Sequence, residues 1–315
     1  MRITGVDLGF FEFDLDLTWA AFFLNADGRI YGRYGGRDAH GPDTRNTLAG
    51  LRHALEGALA AHREANVKAA PRVAAPLVIE NVPAAKNLRG CIHCHQAKEI
   101  LRAQADREGG WDPLSRWVFP LPENIGITLD LNRGDQVKAV APASPAAQAA
   151  LRGGDTLVSI DNRSVRSFAD AQYALHKAPV RGSIPISWLR DGQRHDGELK
   201  LADGWKKTNI TWRPSLMDLL PSLPLFGTDL TAKEKQALGL TASRLAFRQD
   251  APVPPSAKKL GVQEGDVILG INGLQLDMTT EQFLAYVRRN HLQGERVILN
   301  LVRGEKRMDV PIKLP

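Results

Sequence analysis

The chain has 315 residues, 43% of them hydrophobic and 24% charged, with 41 Lys and Arg against 35 Asp and Glu and only two cysteines. This is the makeup of a globular chain of two to three domains. It excludes a collagen-like fibre, wholesale disorder and a disulfide-stapled scaffold, because two thiols cannot cross-link a chain of this length. The longest apolar run, Leu17 to Leu24, falls far short of the ~20 residues of a bilayer span, so no membrane span is expected. Asp7, Glu12, Asp14 and Asp16 interrupt the region where an export signal would carry its apolar core, so no signal peptide is expected in the chain as given. The net charge is only +6 and the basic residues are scattered, so no nucleic-acid partner is expected. Lys206, Lys207 and Arg213, interleaved with Trp205 and Trp212, fit a linker anchored by its tryptophans.

Residues 1–66 read as strand, strand, helix. Thr18 to Leu24 is rich in β-formers and ends at Asp27-Gly28, a hairpin signal because glycine tolerates positive φ. Arg29 to Tyr34 is the return strand. Asp43 or Thr44 caps a helix carrying Leu48, Leu51, Leu55 and Leu59 on one face, and that stripe is expected to pack. A lone hairpin is a poor partner for it, so residues 1–66 read as the second half of a domain. Residues 67–85, with Pro71, Pro76 and Pro83, read as an Ala/Pro linker.

Residues 86–118 hold both cysteines in Cys91-Ile92-His93-Cys94-His95, the Cys-x-x-Cys-His form of c-type haem attachment. Two thiols on one turn can reach both vinyl groups, and His95 is then placed to ligate the iron. The expected cofactor is therefore covalent haem c on Cys91, Cys94 and His95, with His53, His62 or Met217 as candidates for the second axial position. A dithiol couple tuned by His95, a zinc site and a structurally inert pair are the alternatives. Zinc fits least, because His93 and His95 are too close for Cys2His2 spacing.

The remainder is an internal duplication. Leu151 to Asn162 recurs as Val262 to Gly273, and each copy continues with a helix and then a strand–turn–strand. The copies occupy residues 119–203 and 225–315, with 204–224 as a linker. Ala143-Ser144-Pro145-Ala146 leading to Gly154-Asp155 and Val158 to Asp161 resembles the PDZ domains of HtrA-type bacterial envelope proteases. Pro254 to Ala257, Gly265-Asp266 and Ile271-Asn272-Gly273 repeat the pattern.

The resemblance implies an α+β multidomain fold with two PDZ domains, each a partly open β-barrel with helices. It also implies that an extended peptide or a protein C-terminus adds a strand to a sheet edge beside a helix. In the first copy Asn124, Ile125, Gly126 and Ile127 then form the carboxylate-binding loop and docking edge, with Ala171 and Leu175 on the opposite wall. In the second copy Gly239-Leu240 is the corresponding loop. No Gly-x-Ser-Gly-like nucleophile turn or Ser–His–Asp constellation accompanies the PDZ units, so a protease is not expected.

Residues 17–35 resemble the hairpin and following helix of a thioredoxin-like fold. With the cysteine segment and two PDZ units, the whole chain resembles the thioredoxin-like/PDZ domain-containing (seleno)protein family, whose redox residue lies in a half not seen here. That resemblance suggests a fragment starting after a selenocysteine codon misread as a stop. The function expected from these readings is a cell-envelope redox, electron-transfer or redox-sensing protein in the periplasm, with a redox partner and with PDZ domains recruiting partner peptides. The alternative is a non-enzymatic PDZ scaffold whose Cys91 and Cys94 form a thiol–disulfide couple or are structural.

Overall fold

The structure is a computed structural model that describes residues 3, 5–64, 75–86 and 92–315. It divides into two compact units, 1–208 and 209–315, a boundary inside the segment read as a linker. Each unit is built around one copy of the repeat.

In the first unit, β1 (Ala21–Leu24) and β2 (Ile30–Tyr34) form the antiparallel hairpin expected at Asp27-Gly28. Helix α1 (Leu48–Glu64) follows, but with its faces reversed. Gly50, Ala54 and Ala58 are its buried residues, while Leu48, Leu55 and Leu59 are exposed. Small residues let the helix backbone approach β2 closely, which a leucine ridge would prevent. The structure does not show the thioredoxin-like unit: the hairpin stands as a two-stranded sheet.

Residues 65–74 lie outside the described part of the expected linker. Residues 75–86 pack two short 3-10 turns, Ile79–Asn81 and Pro83–Ala85, into an apolar cluster. That cluster also holds Ile3, Ile92, Cys94 and Ile100, the last two from helix α2 (Cys94–Arg107).

The first repeat runs β3 (Ile127–Leu129), β4 (Val137–Val140), α3 (Pro145–Gln148), β5 (Thr156–Ile160), β6 (Arg163–Ser164), α4 (Phe168–Lys177), β7 (Gly182–Arg190) and β8 (Gln193–Leu201). Its strands form a β3-β4 ribbon and a β6-β5-β7-β8 sheet around one apolar core. Trp205 closes that core, its indole N–H donating to the carbonyl of Pro179 at 2.9 Å.

The second repeat runs β9 (Gly227–Asp229), α5 (Ala232–Ala237), β10 (Phe247–Gln249), α6 (Pro255–Lys259), β11 (Val267–Ile271), α7 (Thr280–Asn290), β12 (Arg296–Arg303) and β13 (Lys306–Lys313). Its sheet is continuous, in the order β13-β12-β11-β10-β9. Among the described residues neither copy closes into a barrel; the strands form open antiparallel sheets. α5 is an addition, absent between β3 and β4, and is started by a reciprocal cap in which Thr231 and Glu234 satisfy each other's backbone amides.

The repeats share one fastening. Asp155 takes the Nε and Nη2 of Arg190, both at 2.8 Å, and Asp266 takes the same atoms of Arg303 at the same distances. In each copy the arginine also donates to a carbonyl, of Ala150 or Gly261. A planar guanidinium fork on a buried carboxylate fixes direction as well as distance, and it locks the Gly-Asp turn to the penultimate strand. Burial alone would raise the Asp155 carboxyl, but Arg190 and the amide of Arg152 hold it below the ordinary range.

Candidate functional site

β3 is an edge strand, paired on one side only, with β4. It is preceded by a 3-10 turn, Pro122–Ile125, which ends at Gly126 with φ 85°. A side chain there would be strained by the left-handed backbone, and its Cβ would lie 2.1 Å from that of Ser144.

The residues expected to bind peptide fall into three groups. Gly126 and Ile127 join the turn to the edge strand, but the Gly126 amide already donates within the turn. Asn124 donates its side-chain amide to the carbonyls of Trp205 and Lys207, both at 2.8 Å, and so ties the loop down. Ile125, Ile127, Ala171 and Leu175 have no exposed surface and belong to the core.

Helix α4 begins at Ser167, whose hydroxyl accepts from the amide of Asp170, and its outer faces are covered by the N-terminal part of the same unit. The buried Asp170 carboxylate accepts from the amides of Arg33 at 2.9 Å and Arg166 at 3.2 Å. The Arg33 guanidinium lies 3.6 Å from the centre of the Tyr173 ring. Arg166 donates to the carbonyl of Tyr31, and Ser167 donates to that of Arg33.

Further along α4, Gln172 donates to the carbonyl of Phe119, whose ring stacks on His176 at 4.2 Å. Glu12 caps this end, 2.7 Å from Lys177 and 3.5 Å from His176. Burial pushes Asp170 up to about 6 against the pull of Arg33 and the two amides. Burial would also raise Glu12, but His176 and Lys177 bring it down to about 2. A cavity of about 440 Å³ opens beside this end of the helix, walled by Leu8, Phe11, Phe13, Leu101, Val118 and Phe119.

The second copy is built differently at the same place. The register pairs Gly227 with Gln249, and the amide of Asp250 donates to the carbonyl of Phe226. This makes Leu225-Phe226-Gly227 the counterpart of Ile125-Gly126-Ile127, where the amide of Ala141 donates to the carbonyl of Gly126. Gly239, read as the second loop, instead follows α5. β9 is the outermost strand, and its Thr228 and Asp229 are exposed. Its end is tied to α7, because the Thr280 hydroxyl and amide donate to Asp229 at 2.6 and 3.1 Å. Only Phe283 and Val287 of α7 are buried.

The cysteine segment offers no haem site. Cys91 lies outside the described residues. Cys94 is buried in the apolar cluster with Ile3, Ile79 and Ala97. Burial pushes its thiol up, which makes it a poorer thiolate. His95 is about half exposed and lies 3.3 Å from Glu99, one turn along the same helix. The proposed axial residues have other roles or settings: His53 meets Asp135 at 2.9 Å, His62 meets the Tyr31 hydroxyl at 2.9 Å, and Met217 is exposed. Among the described residues no group of three His, Cys, Asp or Glu side chains is placed to hold a metal ion, and no helix is long and apolar enough to cross a membrane.

Residues 136–190 match the PDZ domain family. The chain is 27% identical over 179 residues to a probable periplasmic serine protease do/HhoA-like of Haemophilus influenzae, covering 57% of this chain and 35% of that protein. It is 27% identical over 150 residues to the periplasmic serine endoprotease DegP of Escherichia coli, covering 46% of this chain and 28% of that protein. It thus spans about a third of the length of the curated relatives it matches. Solved structures that it resembles include an HtrA-type protease AlgW with decapeptide, at 20% identity and TM-score 0.25 over 35% of each chain. Another is a serine endoprotease from Yersinia pestis, at 25% identity and TM-score 0.26 over 36% of this chain and 39% of that one. The relatives are periplasmic serine proteases, not redox or electron-transfer proteins. The redox function with its thiol-couple alternative and the haem c cofactor are overturned accordingly, and nothing in these relatives supports a redox partner.

Proposed function

We propose that the PDZ units of this cell-envelope chain take extended peptides or protein C-termini by strand addition. The observation that carries this reading is that both copies end their sheets in an edge strand, β3 and β9, beside a helix, in a chain with a matched PDZ domain. An edge strand offers a row of backbone donors and acceptors, and the helix beside it supplies side-chain contacts for specificity. In the first copy the peptide would lie along β3 with its carboxylate at the turn around Gly126 and Ile127; in the second it would lie along β9. The periplasm is the compartment of the relatives, and we assign the chain to it by that kinship.

The test is selection of the whole chain against a random library of decapeptides with free C-termini, followed by N-methylation of each backbone amide in an enriched peptide. Strand addition requires alternate N-methyl groups to weaken binding at least tenfold. No enrichment, or affinity indifferent to N-methylation, would overturn the reading.

A further inference from the structure

The first groove already has something in it. Residues 36–47, between β2 and α1, touch the start of α4 and both flanks of β3. Arg45 is the centre of this contact. Its Nη2 donates to Glu123, in the turn before β3, at 2.7 Å, and its guanidinium carbon lies 4.7 Å from the centre of the Phe168 ring at the start of α4. Its Nε donates to Asp38 at 2.8 Å. Two residues on, the Thr47 hydroxyl donates to Asn132 at 2.9 Å and approaches the carbonyl of Leu131 at 3.3 Å, on the far side of β3. Gly36 sits so near Phe168 that a Cβ would lie 2.7 Å from its ring.

The segment is held in shape from within. Asp38 collects the amide of His40, the hydroxyl of Thr44 and Arg45, and these donors keep its carboxyl below the ordinary range although burial alone would raise it.

We propose that the groove of the first PDZ unit recognises an arginine-bearing segment, and that the looped residues 36–47 of this chain are its resident ligand. The chemistry is set by Glu123 and Phe168 together: a carboxylate within bonding distance and an aromatic face beneath accept a planar guanidinium better than any other side chain. An apolar terminal residue would leave Glu123 unpaired. An outside ligand therefore has to carry arginine, or an equivalent cation, to displace Arg45. The first groove is filled until such a ligand arrives, while the edge of β9 stands free.

This inference rests on the peptide-binding reading, and its test is separate. The probe is a fluorescein-labelled peptide spanning residues 42–48, measured by anisotropy against the whole chain. Binding to the Arg45→Ala protein is expected to be at least tenfold tighter than to the unaltered chain, and to be lost when the peptide's own arginine is alanine. Equal binding of the two peptides, or binding of neither to the folded variant, overturns the proposal.

Should Arg45→Ala unfold, Glu123→Gln serves instead, because it removes the charge that holds the guanidinium and leaves the Asp38 cluster intact. Amide hydrogen exchange across residues 36–47 should then quicken about tenfold, and unchanged exchange overturns the proposal. A library that enriches other peptides, alongside a self-peptide that binds neither protein, would overturn this inference and leave the peptide-binding reading standing.

Discussion

The two repeats descend from one pattern and use it in opposite ways. In the first, six of the ten residues of α4 are buried, because the hairpin, the Phe119 segment and the Arg45 loop all lean on it. In the second, α7 buries Phe283 and Val287 of its eleven residues, and the outer edge of β9 is exposed. The cores and the Asp–Arg fastening match, so the divergence lies in what surrounds the module. The same helix can be scaffold in one copy and surface in the other without any change in the fold that carries it.

The comparison can be attacked first where the copies agree. Asp155→Asn and Asp266→Asn each strand an arginine and break a buried carboxylate fork, so each should destabilise its own repeat by about 3 kcal/mol. Chemical denaturation followed by amide hydrogen exchange in each repeat should show similar losses. A loss in only one copy would mean that the matched geometry hides unequal energetics.

The turn before each edge strand should separate the copies. Gly126→Ala introduces a side chain at φ 85° against Ser144 and should cost about 2–3 kcal/mol. Phe226→Ala at the counterpart, which is 40% exposed, should cost less than about 1 kcal/mol. Equal costs would erase the distinction between the two loops.

The covered helix also predicts a pH dependence. Asp170 titrates at about 6 when folded against 3.8 otherwise, so between those values the folded chain holds the extra proton. Stability should therefore fall by about 2 kcal/mol as pH rises from about 4 to about 6. Asp170→Asn should flatten that limb. Glu12 acts in the other direction. Its value falls from 4.5 to about 2 on folding, so its contribution is complete above 4.5 and is lost as the pH drops toward 2. Thermal melts of wild type and variant from pH 3 to 7 would show both limbs, and an unflattened upper limb would refute the role of Asp170. The smallest effect belongs to the outer face of α1, where Leu55→Lys should change stability by under about 0.5 kcal/mol; a large loss would mean that this face is covered.

Much of the fold was legible from local chemistry. Asp27-Gly28 announced the hairpin, the recurrence of Gly154-Asp155 as Gly265-Asp266 announced the duplication, and the period of Leu48 to Leu59 announced a helix. The period did not say which face turns inward, because Gly50, Ala54 and Ala58 pack by allowing close approach, and a hydrophobicity pattern does not weigh that. The spacing of Cys91 and Cys94 suggested a chemistry, but spacing carries no information about the apolar cluster that encloses Cys94. The counterpart of the Gly126 turn was missed because α5 was inserted behind it. The pair Thr231 and Glu234, spaced as a helix start, could have marked that insertion and moved attention back to Leu225-Phe226-Gly227. The covering of α4 left no local signal, since Arg33 and Asp170 are far apart in sequence and meet only through the fold.

The Asp–Arg fork has one more consequence. Both halves of each lock, Asp155 with Arg190 and Asp266 with Arg303, come from within a single copy, so neither repeat borrows this closure from the other. A gene segment carrying such a self-latched unit can be copied, transplanted or dropped while its closure travels with it. Selection is then free to rework the exterior of one copy while the other keeps its older face.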